Sequence, residues 1–334
     1  MSLNTKLGAD PLGFARKYSI KAGDVAGGQS AEDRRTVNGY IYSKMLTGTK
    51  ISYLNCWQAD LGKDVTMRAP RGTFTDEEIN RSIAEGADTV CITAQAAADP
   101  AMVPAWFLPW DTRGGVVALR IPPMAGYGGA YPPFFLTAAI NGCSVFVTGT
   151  SKNPRVFHGG KGTGVDGDAV QIWRDMVVSI SGKTEAQLAQ ANKTMYVKDG
   201  TLDSQGLATT RTAKTFEDAL NRHYAPWRNN NMNKNLIQLT EIRPWGAFFG
   251  ICSAGGDWTF YLQENATISY QMYEKPAPEN NNFFDSIAKK FKKQKPIPGR
   301  SFSVSRPMTV RQIFPGGGGV AAMTSSFKWN SLRG

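Results

Sequence analysis

Gly142-Cys143 interrupts an apolar run that starts at Phe134 and continues through Val145, Phe146 and Val147, and His158, one of only two histidines, follows fifteen residues after the thiol. That is the layout of a thiol–imidazole pair carried on neighbouring strands. The attacking species at a carbonyl carbon is the thiolate, so a cysteine nucleophile needs a base, and His158 is the nearest one. A glycine before the nucleophile lets the backbone turn sharply and leaves room for a substrate carbonyl. Amides near Cys143 and Ser144 are placed to donate to the oxyanion that develops there, which makes Asn141, Gly142 and Ser144 candidate substrate-binding residues. His158 would take the Cys143 proton and later pass it to a leaving group, a sequence that suits acyl transfer from an amide or ester.

A third group must orient the imidazole. Thr137 and Asn141 are the polar candidates on the same run, and a backbone carbonyl is the alternative. In a regular strand Thr137, Ala139, Asn141 and Cys143 share one face, a parity that a turn at Asn141-Gly142 would break. The competing reading of Cys143 is an inert core thiol, because free cysteine is among the most buried residue types. Cys56, Cys91 and Cys252 are read that way, and His223 as a surface or hydrogen-bonded histidine. Four scattered cysteines without a Cys-x-x-Cys pair give no zinc spacing, so no metal site is expected.

Around these residues the sequence predicts more strand than helix. Tyr40-Ile41-Tyr42 and Ile51-Ser52-Tyr53-Leu54 read as strands joined through Leu46-Thr47-Gly48-Thr49, and further strands are expected at 89–93, 105–108 and 116–121. Ala247 to Ile251 and Trp258 to Leu262, separated by Ala254-Gly255-Gly256-Asp257, read as a hairpin. Helices are expected at Thr75 to Ala84, which opens with a Thr cap and an acidic turn, and from Ala169 to Met176. Two Gly-rich stretches, Gly126-Tyr127-Gly128-Gly129 and Gly159 to Gly164, flank the Cys–His region and suggest a mobile rim. The expected fold is mixed α+β, with a β-sandwich-like core and peripheral helices.

Residues 1–38 are read as a loosely ordered N-terminal segment, 39–274 as the catalytic domain and 275–334 as a basic, Pro- and Gly-rich extension. Within the extension, Phe284, Ile287 and Phe291 recur at helical spacing beside Lys289 to Lys295, a pattern that fits docking on an anionic surface or a packed helix with a solvated lysine face. The chain carries 38 Lys and Arg against 27 Asp and Glu, a net +11, which favours acidic partners without identifying one. The N-terminus lacks the apolar core of a signal peptide, and no apolar run is long enough to span a bilayer. A protein made in the cytoplasm with reduced thiols is expected, and action elsewhere would need a leaderless route.

The span from Trp106 to Met176 resembles the catalytic core of the Burkholderia lethal factor-like glutamine deamidase toxins, related in fold to the catalytic domain of cytotoxic necrotizing factor and to the chemotaxis receptor deamidases. The resemblance runs through Phe107-Leu108-Pro109-Trp110, Phe134-Phe135 with Thr137, Gly142-Cys143 with Val145-Phe146, His158, and Trp173-Arg174 with Met176. The family typically has Leu-Ser-Gly-Cys where this chain has Ile140-Asn141-Gly142-Cys143, so an amide would stand in for the serine hydroxyl. The resemblance implies Cys143 as nucleophile, His158 as base and acid, and Thr137 as the residue lining or orienting the site. It further implies hydrolysis of a protein glutamine side chain without a cofactor, and a toxin or effector delivered to a host cell. Family targets include Rho-type GTPases and the helicase of translation initiation. A thiol protease or transglutaminase would use the same acyl-enzyme, and a non-catalytic basic binding module is the reading from a different class.

Overall fold

A computed structural model of the chain describes residues 1–22, 31–37, 40–45, 51–58, 89–95, 98–109, 115–140, 142–160, 169–192, 237–273 and 296–316. The expected helix at 75–84, the 46–49 connection, Asn141, His223, and the Lys289 to Lys295 segment lie outside them. The described chain is mixed α+β and mostly sheet. Two short helices, α1 (Leu3–Ala9) and α2 (Pro11–Lys17), lead into β1 (Ser19–Ala22), β2 (Ala31–Val37), β3 (Tyr40–Met45), β4 (Ile51–Gln58), β5 (Thr89–Gln95), β6 (Val103–Leu108), β7 (Gly115–Arg120), β8 (Phe134–Thr137), β9 (Ser144–Thr150) and β10 (Asn153–Gly160). Helix α3 (Ala169–Ser181), β11 (Ala189–Asn192) and the long strands β12 (Ile237–Cys252), β13 (Trp258–Tyr273) and β14 (Pro296–Phe314) complete the chain.

The strands form two sheets, one ordered β1-β5-β4-β6-β8-β12-β13-β14 and the other β11-β9-β10-β7-β3-β2. Strand alternation decides which layer each side chain enters. Trp106, Leu108, Phe135, Phe248, Phe260 and Leu262 of the first sheet meet Val117, Leu119, Val145, Val147 and Val156 of the second in one cluster, the inter-sheet core. Their neighbours Ala105, Phe107, Phe134, Leu136, Ala247 and Phe249 point the other way and are covered by Leu7, Phe14 and Ala15 of α1 and α2. On the far side of the second sheet, Val116, Ala118, Phe146 and Phe157 pack against Trp173, Met176 and Val177 of α3. The result is helix, sheet, sheet, helix. Because both faces of the central strands are buried, they are apolar at successive positions, and each fully buried large side chain contributes about 1.5–3 kcal/mol.

Four expectations are corrected. Residues 1–22 of the N-terminal segment are ordered: Ser2 Oγ caps α1 by accepting from the Thr5 amide at 3.1 Å, and Asp10 Oδ1 caps α2 by accepting from the Gly13 amide at 2.9 Å. Buried Gln263 ties the segment to the first sheet, accepting from the Ile20 amide at 2.8 Å and donating to the Tyr18 carbonyl at 2.7 Å. The C-terminal extension contributes β14, which pairs along β13 and buries Val310 and Ile313, so the sheet runs past the expected boundary at 274. Strands β3 and β4 do not pair with each other: β3 joins β2 and β7, while β4 joins β5 and β6 in the other sheet. The apolar run from Phe134 is two strands in different sheets, because residues 138–143 cross from one layer to the other. The expected hairpin is present as β12–β13, closing at Cys252 opposite Trp258, and the expected helix as α3.

Candidate active site

The crossing segment sets the site. Strand β8 ends at Thr137, aligned with Leu108 at the end of β6. The chain then bridges Ile140 to Gly246 through two backbone hydrogen bonds of 2.8 and 2.9 Å, and turns at Gly142 with φ +88°. Only glycine adopts that backbone region freely, and no atom lies within 4 Å of where its Cβ would be, so Gly142 is required by conformation and not by crowding. Cys143 follows at the start of the second sheet. It is half-buried against the inter-sheet core, and its thiol is not in a disulfide.

Strand β10 lies between β9 and β7, with His158 opposite Val145 on one side and Val117 on the other. Both partners belong to the inter-sheet core, so the imidazole points between the sheets, on the same side as Cys143. Cys143 stands two residues before Val145, diagonal to His158, a placement with Cα atoms about 7–8 Å apart. Strand order therefore puts the two residues on neighbouring strands of one sheet, without a hydrogen bond from the thiol to the imidazole.

The imidazole is fixed from the opposite sheet. His158 Nδ1 and Thr137 Oγ1 are 2.7 Å apart, and the same hydroxyl donates to the Leu108 carbonyl at 2.6 Å. A hydroxyl has one proton, and a carbonyl only accepts. With that proton committed to Leu108, Nδ1–H must donate to Thr137 Oγ1, and in the neutral ring Nε2 carries the lone pair. Nε2 is buried and has no hydrogen-bond partner among the described residues. His158 is completely buried, and desolvation holds its pKa down at about 4, so the ring is neutral at ordinary pH.

From behind, Gly159 meets the indole of Trp173 so closely that an added Cβ would lie 2.7 Å from it. Helix α3 thus presses directly on the strand that carries the base.

Thr137 and His158 are brought into hydrogen bond, and Cys143 stands on the strand next to His158. The Ser144 side chain does not face the site: its position in the strand aims its hydroxyl at the α3 side, where it is fully buried without a hydrogen-bond partner among the described residues, which leaves its amide as the expected donor. The Gly126 to Gly129 loop is also misplaced by the sequence reading. It connects the far end of β7 to the start of β8, where Tyr127 and Tyr131 pack on Trp106, and Trp258 Nε1 donates to the Tyr131 hydroxyl at 3.0 Å. That is the end of the sandwich away from Cys143. Of the second Gly-rich stretch, Gly159 and Gly160 end β10, and 161–164 lie outside the described residues.

The carbonyl of Leu108 is the functional group that sequence reasoning missed. Its role depends on the parallel pairing of β6 and β8, which nothing local in the sequence announces.

The other thiols are unsuited to nucleophilic work. Burial pushes Cys56 to about 12 and Cys252 to about 11, and Cys91 is raised for the same reason. Among the described residues no group of His, Cys, Asp or Glu is gathered to hold a metal, and no helix is long and apolar enough to cross a membrane. No protein-family model matches the chain, and no curated protein matches its sequence.

Proposed function

We propose that the protein is a cysteine-dependent protein-glutamine deamidase of the lethal factor type, a toxin or effector that converts an exposed glutamine of a host protein to glutamate. The observation that carries the reading is the Thr137–His158 hydrogen bond, which joins the two sheets and leaves Nε2 as an unprotonated acceptor on the strand next to Cys143. The helix, sheet, sheet, helix layering, with the nucleophile at a sheet-to-sheet crossing, supports a fold like the cytotoxic necrotizing factor catalytic domain. The host-cell cytosol is the proposed site of action, and a Rho-type GTPase or the helicase of translation initiation the proposed type of target.

In this reading the Cys143 proton passes to His158 Nε2 as the sulfur attacks the glutamine carboxamide carbon. Nε2–H then protonates the departing nitrogen, ammonia leaves, and a thioester remains. Water gives a proton back to Nε2 as it attacks the thioester, and that proton returns to sulfur when glutamate is released. The target gains a negative charge where it had a neutral amide.

The test incubates the purified chain, and separately Cys143→Ser, with a eukaryotic cell lysate, and searches its proteins for glutamines that gain about one dalton. The gain, with ammonia release, is expected for the parent chain alone. Peptide-bond cleavage would instead assign a thiol protease and amine incorporation a transglutaminase. Identical lysates from both proteins would end the acyl-transfer reading.

A further inference from the structure

Resting on the reading just given, we infer that the target glutamine is presented by an extended peptide segment that adds to the edge of β12 ahead of Gly246, in the slot that residues 138–143 vacate as they carry Cys143 out of the first sheet. Gly246 exchanges both of its backbone hydrogen bonds with Ile140, at 2.8 and 2.9 Å, and the Cys252 amide donates to the Pro133 carbonyl at 2.8 Å. Successive peptide groups of a strand turn to opposite sides, so the even-numbered residues of this stretch turn theirs toward β8. The pairing of β12 with β13 runs without a bulge from Glu241 to Cys252, and the alternation therefore holds through Pro244 and Ile242.

Pro244 marks the slot as an edge. A proline has no amide to give to a ladder and is confined to edge strands, strand starts and bulges. Here the missing amide falls on the side away from β13. Among the described residues, β12 meets β8 only at 249–251 and the crossing segment only at Gly246. A strand added beyond that point would use the carbonyls of Pro244 and Ile242 and the Ile242 amide. These are main-chain groups, so they select an extended backbone and not a particular sequence.

Position and reach agree with the chemistry. Cys143 is three residues past Ile140 and so within about 11 Å of it even at full extension. In a strand antiparallel to β12, as β8 is, the residue opposite position 244 falls on the same face as Phe248, which belongs to the inter-sheet core. That face is turned to the sheet on which Cys143 opens β9. A glutamine side chain from one layer and the cysteine side chain from the other together close a sheet spacing of about 10 Å to the roughly 3–3.5 Å at which attack begins.

The test uses the full chain as Cys143→Ser, so that nothing is hydrolysed, and a pool of short synthetic peptides, each with one central glutamine, as the probe. Amide exchange read residue by residue is expected to find Ile242 open in the free chain and slowed at least about tenfold with a peptide bound, while Arg243, whose peptide group faces β13, is slow in both. A binding peptide remade with an N-methyl group on the glutamine, or on the second residue after it, should bind at least about tenfold more weakly, and with the methyl group on the residue between them equally well. Ile242→Pro, which removes the edge donor and no bond to β13, should weaken the peptide at an unchanged unfolding midpoint. An Ile242 amide already protected in the free chain would overturn the inference, because the chain itself would then fill the slot. So would a pool without binders, or N-methyl losses that do not alternate. Because no turnover is read, the outcome is separate from the deamidase test: peptides bound without any deamidation would leave the edge standing, and deamidation without edge binding would leave the reaction standing.

Discussion

Gly159 and Trp173 are in contact tighter than any other side chain allows at position 159, since a methyl group there would sit 2.7 Å from the indole. The contact ties α3 to the residue next to His158, the base of the proposed reaction. Gly159→Ala must push either the indole or strand β10, and overpacking of this kind costs about 1–3 kcal/mol. Thermal unfolding is expected at a lower temperature, and deamidation should fall further than the folded fraction does. Unchanged activity at equal folding would show that α3 does not hold His158 in place.

Replacing Thr137 separates shape from hydrogen bonding. Thr137→Val keeps the volume but leaves His158 Nδ1–H buried without a partner and the Leu108 carbonyl with the Ala138 amide alone, at 3.3 Å, a loss of about 1–3 kcal/mol for the abandoned N–H. The ring also loses its preference for the productive tautomer, so turnover is expected to drop by about 10²–10⁴. Thr137→Ser retains the hydroxyl and should recover most of it. Rates for the folded fraction of each variant, measured side by side, check this.

Stability should depend on pH through His158. Its folded pKa is lowered to about 4, from 6.5 for the ordinary side chain. Between those values the unfolded chain binds the proton and the folded chain does not, so stability rises with pH across that window and is level above it. Denaturant midpoints are therefore expected to climb from about pH 4 to pH 6.5, and His158→Gln should flatten that part of the curve. A parent curve indistinguishable from that of the variant would show that the imidazole is solvated.

Glu264 and Arg311 make the third test of the inter-sheet space. The glutamate is 4% exposed and its partner lies on the neighbouring strand. Arg311→Met takes a cationic partner from a buried carboxylate and is expected to cost up to about 3–5 kcal/mol, whereas adding Glu264→Leu should restore much of the loss. Chemical denaturation of the two single variants and the double variant gives the comparison. A double variant as unstable as Arg311→Met would place the cost in packing.

Local patterns were enough to expect β5, β6, β7, the β12–β13 hairpin and α3, because alternation or helical spacing survives there in neighbouring residues. The break between β8 and β9 is hidden by success of another kind: Phe134 to Leu136 and Val145 to Val147 are buried on both faces, so no alternation marks where one sheet ends. Only Asn141-Gly142 hinted at the turn. Helices α1 and α2 are seven residues each and carry Gly8 and Gly13, which weakens their periodicity, although Ser2 and Asp10-Pro11 were readable caps. In β14 the alternation Ser301-Phe302-Ser303-Val304-Ser305 is plain, yet flanking prolines and a basic neighbourhood mask it. Cys143, His158 and Thr137 could be picked out by chemistry and order. That Ser144 turns its back on them, and that Leu108 completes them, depends on pairing between distant strands.

The imidazole at 158 and the hydroxyl that orients it are contributed by separate layers. Neither layer alone can dry the ring, choose its tautomer or bring sulfur to it. On the proposed reaction, a nascent, clipped or half-melted chain would consequently be chemically silent, armed by the same event that completes the sandwich.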